Sequence, residues 1–140
     1  MKITCFQATT DGGSRFHDLD VSLSQTRQDE FGHTIHTSLP YASPNVQFVE
    51  LPANMDQDWH NAPAQQIVVV LSGVIEVETT DGAVRQWKPG SAFCQQMSVV
   101  AGIARVRATQ RCDYCLPRCP KPWMLLTGQP LNSDQPDCGR

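Results

Sequence analysis

Long apolar stretches are missing from this chain: its longest uninterrupted run is Ile67 to Leu71, far short of the ~20 residues a membrane-spanning helix requires. Basic runs are missing as well. With 11 Lys and Arg against 14 Asp and Glu, a formal net charge of −3, there is no electrostatic footprint for a phosphate backbone or an anionic lipid surface. Nucleic acid and membrane are therefore not expected as partners. The opening MKITCFQATTDGG lacks the charged and apolar blocks of a secretory signal, so a cytoplasmic protein is the expectation. Helical periodicity is also absent: no window of eleven or more residues places apolar side chains at helical spacing.

What is present is period-two alternation rich in β-branched residues, the pattern of half-buried strands. It predicts an all-β fold with strands near Phe16–Leu23, Val46–Leu51, Gln66–Leu71, Val74–Thr80, Ala83–Trp87, Ala92–Gln95, Ile103–Thr109 and Trp123–Thr127. Asp81-Gly82 between VIEVETT and AVRQW has the composition of a type I′ hairpin turn. IVVVL is continuously apolar, as in a strand covered on both faces. At 140 residues, one domain spanning 1–140 and one core are expected. The polar, proline-bearing stretch TRQDEFGHTIHTSLPYASPN is placed on the outside or against a neighbouring subunit.

Six cysteines are distributed unevenly, with Cys112, Cys115, Cys119 and Cys138 near the end and Cys5 and Cys94 alone. Cys112-x2-Cys115 with Cys119 has the spacing of a metal knuckle, and Cys138 is the candidate fourth ligand of a structural zinc. Disulfide pairing and unconnected thiols are the other readings of the cluster. Cys5 and Cys94 read as small buried hydrophobes, and His17, His33 and His36 as surface residues. RCDYCLPRCPKPW reads as a compact loop between two strands.

The segment WHNAPAQQIVVVLSGVIEVETTDGAVRQWKPGSAF resembles the core of the cupin superfamily, over about Trp59 to Arg107. The resemblance implies a single-domain cupin, a double-stranded β-helix or small jelly-roll barrel, with a core of about 44–109 and a cysteine-rich tail at 111–140. In the first cupin motif a histidine pair is followed by a glutamate and then, after six intervening residues, a glycine. Gly73 aligns with the glycine, Gln66 with the glutamate, His60 with the first histidine and Ala62 with the second. Ile103 aligns with the closing histidine of the second motif. Over nearly the whole chain, RFHDLDV, DWHNAPAQQIVVVLSGVIEVETTDG, KPGS and VAGI resemble a group of little-characterised bacterial cupin-domain proteins, in which glutamine at position 66 is a group trait.

Alanine and isoleucine donate nothing to a divalent ion, so no metal is expected in the barrel unless His33, His36 or Cys94 folds in. A concave interior with a few polar groups remains the expected site for a small-molecule ligand. His60 and Arg105 are its candidate catalytic residues, the first to move a proton and the second to hold an anionic or enolate oxygen. Arg105 is assigned to the interior because it lies two residues beyond Ile103 on one strand; its alternative is a solvated pair with Arg107. Gln66 is expected to bind substrate, with Trp59, Phe48 and Trp87 as aromatic walls. The functional expectation is a metal-independent isomerase, cyclase or lyase acting on a small metabolite. A non-catalytic metabolite- or protein-binding cupin and a metal-dependent oxygenase with unusual ligands are the alternatives. The N-terminal segment, strand-like beyond the cupin motif, leads to the expectation of a homodimer.

Overall fold

A computed structural model of the chain describes residues 1–43, 45–61, 64–96, 103–109 and 111–118. Alternation sets the architecture, because strands with one apolar face can be stable only when those faces meet. The strands are β1 (Lys2–Ala8), β2 (Ser14–Asp20), β3 (Gln25–Gln28), β4 (Thr34–Thr37), β5 (Asn45–Leu51) and β6 (Met55–Asn61), followed by β7 (Gln66–Val70), β8 (Ile75–Thr79), β9 (Val84–Trp87), β10 (Ala92–Gln96), β11 (Ile103–Ala108) and β12 (Cys112–Arg118). No described residue is helical. The fold is all-β and jelly-roll-like.

A six-stranded sheet runs β2-β1-β10-β7-β12-β5, a four-stranded sheet runs β6-β11-β8-β9, and β3 pairs only with β4. Between the two larger sheets lies the main core. The six-stranded sheet contributes Phe6, Val68, Val70, Phe93 and Cys112, and the facing sheet contributes Ile75, Val77, Trp87 and Ala104. On β7 the alternation is plain: Gln66, Val68 and Val70 are buried, while Ile67 and Val69 are half-buried.

Several expectations are corrected. The sheets do not close into a barrel; they form two layers with separate edges. Nor is the larger sheet wholly antiparallel, since β1 lies parallel to β10, a pairing that a long intervening chain permits. The buried hydrophobic cluster also includes Phe6 on β1 and Cys112 on β12. The cysteine-rich segment begins as a strand, β12, inserted between β7 and β5. The expected strand at Trp123–Thr127 lies outside the described residues.

The turn after β8 also differs from the expected type I′. The Gly82 N–H donates to the Thr79 carbonyl (2.9 Å) and the Thr79 N–H to the Ala83 carbonyl (2.9 Å). Among the described non-glycine residues only Asn54 has positive φ, so Asp81 does not adopt the left-handed conformation that type I′ demands at both central positions. The turn is type I, closed by Gly82 at φ 83°. Hydrogen bonds from the Thr79 hydroxyl (2.7 Å) and the Ala83 N–H (3.1 Å) hold the Asp81 carboxylate and keep its pKa below the usual range.

On the outer face of the six-stranded sheet Cys5, Val21 and Cys94 form a second buried cluster with Ile3, Leu19 and Ile67 packed against it. Cys5 and Cys94 are partners in the β1–β10 register and are joined as a disulfide. They are not the simple apolar fillers expected. His17, opposite Cys5 on β2, is half-buried rather than a surface residue; desolvation lowers its pKa, with Arg15 acting in the same direction.

Candidate functional site

Where the two sheets separate, they enclose a cavity of about 250 Å³. Its apolar wall includes Val68 and Phe93 from the six-stranded sheet and Ile75, Val77 and Val106 from the four-stranded one. Its polar lining is Gln57, His60 and Asn61 on β6, Gln66 on β7 and Gln95 on β10.

Strict alternation would not let Gln57 and His60 share a face, because residues three apart on a regular strand point to opposite sides. The β6–β11 ladder resolves this. Ala104 pairs with His60 and Val106 with Gln57, so two steps on β11 match three on β6. The extra residue is a bulge, the device by which strands re-aim side chains near functional sites.

Gln66 and Gln95 are direct cross-strand partners, and the Gln66 Nε2 amide donates to Gln95 Oε1. Gln66 is only 3% exposed, yet its Oε1 has no hydrogen-bond partner. An unpaired buried acceptor is costly, about 1–3 kcal/mol. His60 is half-buried, and its Nδ1 lies 2.7 Å from the Asp58 carbonyl oxygen. A carbonyl only accepts, so Nδ1 carries a proton, and in the neutral form of the ring the lone pair lies on Nε2.

The structure brings His60 and Gln66 to one cavity and leaves the other sequence-selected residues outside it. On β11, Ala104 and Ala108 are buried in the core and Val106 lines the cavity. Arg105 is out of phase with them and faces outward, where Nε (2.8 Å) and an Nη (2.6 Å) donate to both oxygens of Asp56. Arg107 likewise pairs with Glu76 (2.8 Å) and Glu78 (2.8 Å). The expectation that Arg105 faces inward failed by one residue of register, which on a strand reverses every side chain.

The aromatic walls are corrected too. Phe48 is 75% exposed on edge strand β5, and Trp59 is 41% exposed on β6. Trp87 is buried in the core, its ring centroid 4.3 Å from that of Phe93. Phe93 provides the aromatic wall that was missed. Gln95, Gln57 and Asn61 were missed as well; Gln95 alone carried a signal, as a polar residue in the otherwise apolar strand AFC.

Cys112 is fully buried in the core as a free thiol, and burial pushes its pKa up. Cys112 and Cys115 lie in one extended strand, about 10 Å apart at ~3.3 Å per residue. That is not the turn a C-x2-C knuckle needs. Cys119 and Cys138 lie outside the described residues. His33 and His36 are exposed on the β3–β4 hairpin, and Cys94 is held in its disulfide, so none of the three supplies a ligand in the cavity. Among the described residues no three His, Cys, Asp or Glu side chains converge. One imidazole and four amides are a donor set that does not fit a tightly held divalent ion.

Fold and cavity together define an all-β, jelly-roll-like protein with a polar-lined space between its sheets. No family model matches the chain, and no curated protein does. Among solved structures, a conserved Streptococcus pyogenes protein of unknown function overlaps it with a TM-score of 0.43 at 18% identity, over 60% of this chain and 71% of that one.

Proposed function

We propose that the chain is a cupin-type protein that takes a small organic molecule into the cavity between its sheets and moves a proton on it with His60. The observation that carries this is the meeting of His60, Gln66 and Gln95 in one cavity with an apolar wall, the usual composition of a small-molecule site. With Nδ1 anchored on the Asp58 carbonyl, Nε2 is the proton acceptor. In an isomerisation, cyclisation or elimination it takes a proton from one carbon or heteroatom of the substrate and returns it at another, with no net redox change. Arg105 has no part in this scheme; amide groups orient the substrate instead.

A non-catalytic binder is the second reading, favoured by the lack, among the described lining residues, of a cationic group to hold a developing anion. Both are tested by screening small metabolites for thermal protection and then assaying the hits for turnover. Replacing His60 by Ala should lower turnover by ~10²-fold or more while leaving binding largely intact, and His60→Gln should keep the shape without proton transfer. Full activity in both variants, or stoichiometric iron or zinc on His60, would overturn the scheme. Turnover absent even in the wild type, with binding retained, selects the binder.

A homodimer belongs to the same proposal. Its support is edge strand β5, where Phe48 and Val46 are 75% and 56% exposed. A monomer by sedimentation at micromolar concentration would remove it.

A further inference from the structure

Among the described residues the cavity's polar lining is one imidazole and four amides, with no carboxylate, ammonium or guanidinium. The nearby described arginines are paired elsewhere: Arg105 with Asp56, Arg107 with Glu76 and Glu78. An ionic ligand entering this space would lose hydration with no counter-charge from the described lining to replace it. A neutral ligand meets no such barrier.

Hydrogen-bonding demand narrows the class further. Gln66 Oε1 is a buried acceptor without a partner, its own amide nitrogen being committed to Gln95 Oε1. His60, with Nδ1 committed to the Asp58 carbonyl, offers a second lone pair at Nε2. Two side chains on facing sheets, one on β7 and one on β6, therefore present acceptors to the same cavity.

Resting on the cavity-binding proposal above, we infer that the ligand is a small uncharged molecule bearing an N–H or O–H donor, and that Gln66 Oε1 is the acceptor that selects it. The amide pair Gln66–Gln95 acts as a filter: it completes its hydrogen bonding only when a donor arrives, and it repels nothing that is neutral. A lactam-type N–H and an alcohol O–H satisfy the same demand.

Matched probes test the inference on the full chain by NMR titration. 2-Pyrrolidinone is compared with N-methyl-2-pyrrolidinone, whose donor is blocked, and with pyroglutamate, which adds a carboxylate. Cyclopentanol is compared with methoxycyclopentane. Both donor-bearing probes should shift the backbone amides of Gln66, Gln95 and Val106 and bind about 10-fold more tightly than their methylated or charged partners. The stronger of the two identifies the donor as N–H or O–H. In Gln66→Leu the preference should collapse to within about twofold, because the acceptor is gone. Equal binding of the methylated partners, or tighter binding of pyroglutamate, overturns the inference and leaves the cavity as a binding site. No cavity shift from any probe overturns both. If Gln66→Leu does not fold, the wild-type comparison decides alone.

Discussion

Ser14 and Thr80 exchange three hydrogen bonds across 66 residues of chain: the Ser14 N–H donates to Thr80 Oγ1 (2.6 Å), the Thr80 N–H to Ser14 Oγ (3.1 Å), and the Thr80 hydroxyl to the Ser14 carbonyl (3.2 Å). They clasp the β1–β2 hairpin of one sheet to the β8–β9 hairpin of the other. Ser14 is 1% exposed whereas Thr80 is exposed, so only the Ser14 side of the clasp is shielded from water. Ser14→Ala and Thr80→Val should each cost about 1–2 kcal/mol in urea unfolding. The double variant should cost less than the sum by at least ~0.5 kcal/mol. Strict additivity would mean the clasp does not act as a unit.

The Cys5–Cys94 bond spans a sequence separation of 89. In the chain-entropy account, cross-links of that length stabilise by about 4–5 kcal/mol, chiefly through the unfolded chain. Cys5→Ser with Cys94→Ser should lose that amount in denaturant unfolding, and wild-type protein in reductant should approach the variant. Alkylation of unreduced, denatured protein should leave Cys5 and Cys94 unmodified. Labelling of both would disprove the pairing. Such a bond belongs to oxidising compartments in most proteins, which sets it against the cytoplasmic expectation.

His17 supplies a pH dependence whose sign is fixed. Desolvation depresses its pKa in the folded state below the ordinary value, near 6.5. The unfolded chain therefore binds the proton more readily, and stability is complete above pH ~6.5 and declines as pH falls through the folded value. Unfolding midpoints should drop between pH 7 and 5. In His17→Phe that part of the slope should vanish. An unchanged slope would assign it to another group.

Because Arg105 pairs with Asp56 on the outer face, Arg105→Met should leave cavity binding within about threefold and the unfolding midpoint nearly unchanged, as for exposed ion pairs generally. Loss of binding in this variant would return Arg105 to the site.

The fold was legible wherever strands bury one face and polar turn residues separate them. Most of the strands from β5 onward were located because residues such as Val68, Val70, Ile75 and Val77 alternate with less buried neighbours. β1 was missed although its turn, TTDG at 9–12, repeats TTDG at 79–82. The two turns share their hydrogen bonding, Gly12 N–H to the Thr9 carbonyl (3.1 Å) and Gly82 N–H to the Thr79 carbonyl (2.9 Å). β12 was hidden by Pro117 and by cysteines that suggested a knuckle. The site was half legible. His60 and Gln66 came from motif position, whereas Arg105 depended on register and Gln57 on a bulge, and neither a register nor a bulge is a property of one strand's sequence. The disulfide was unreadable for a like reason, since pairing Cys5 with Cys94 requires knowing that β1 lies beside β10.

One consequence of the strand order concerns time. β12 fills the gap between β7 and β5, although it is the last of the described strands to leave the ribosome. β1, the first, must wait for β10 to acquire its second neighbour. At about 5–20 residues per second, the early hairpin spends seconds with only marginal stability of its own. Pairings this distant in sequence place the chain among slow folders, on the order of milliseconds to seconds once synthesis is complete. The newborn chain therefore cannot mature in segments; the larger sheet becomes continuous only when Cys112–Arg118 slides into its interior.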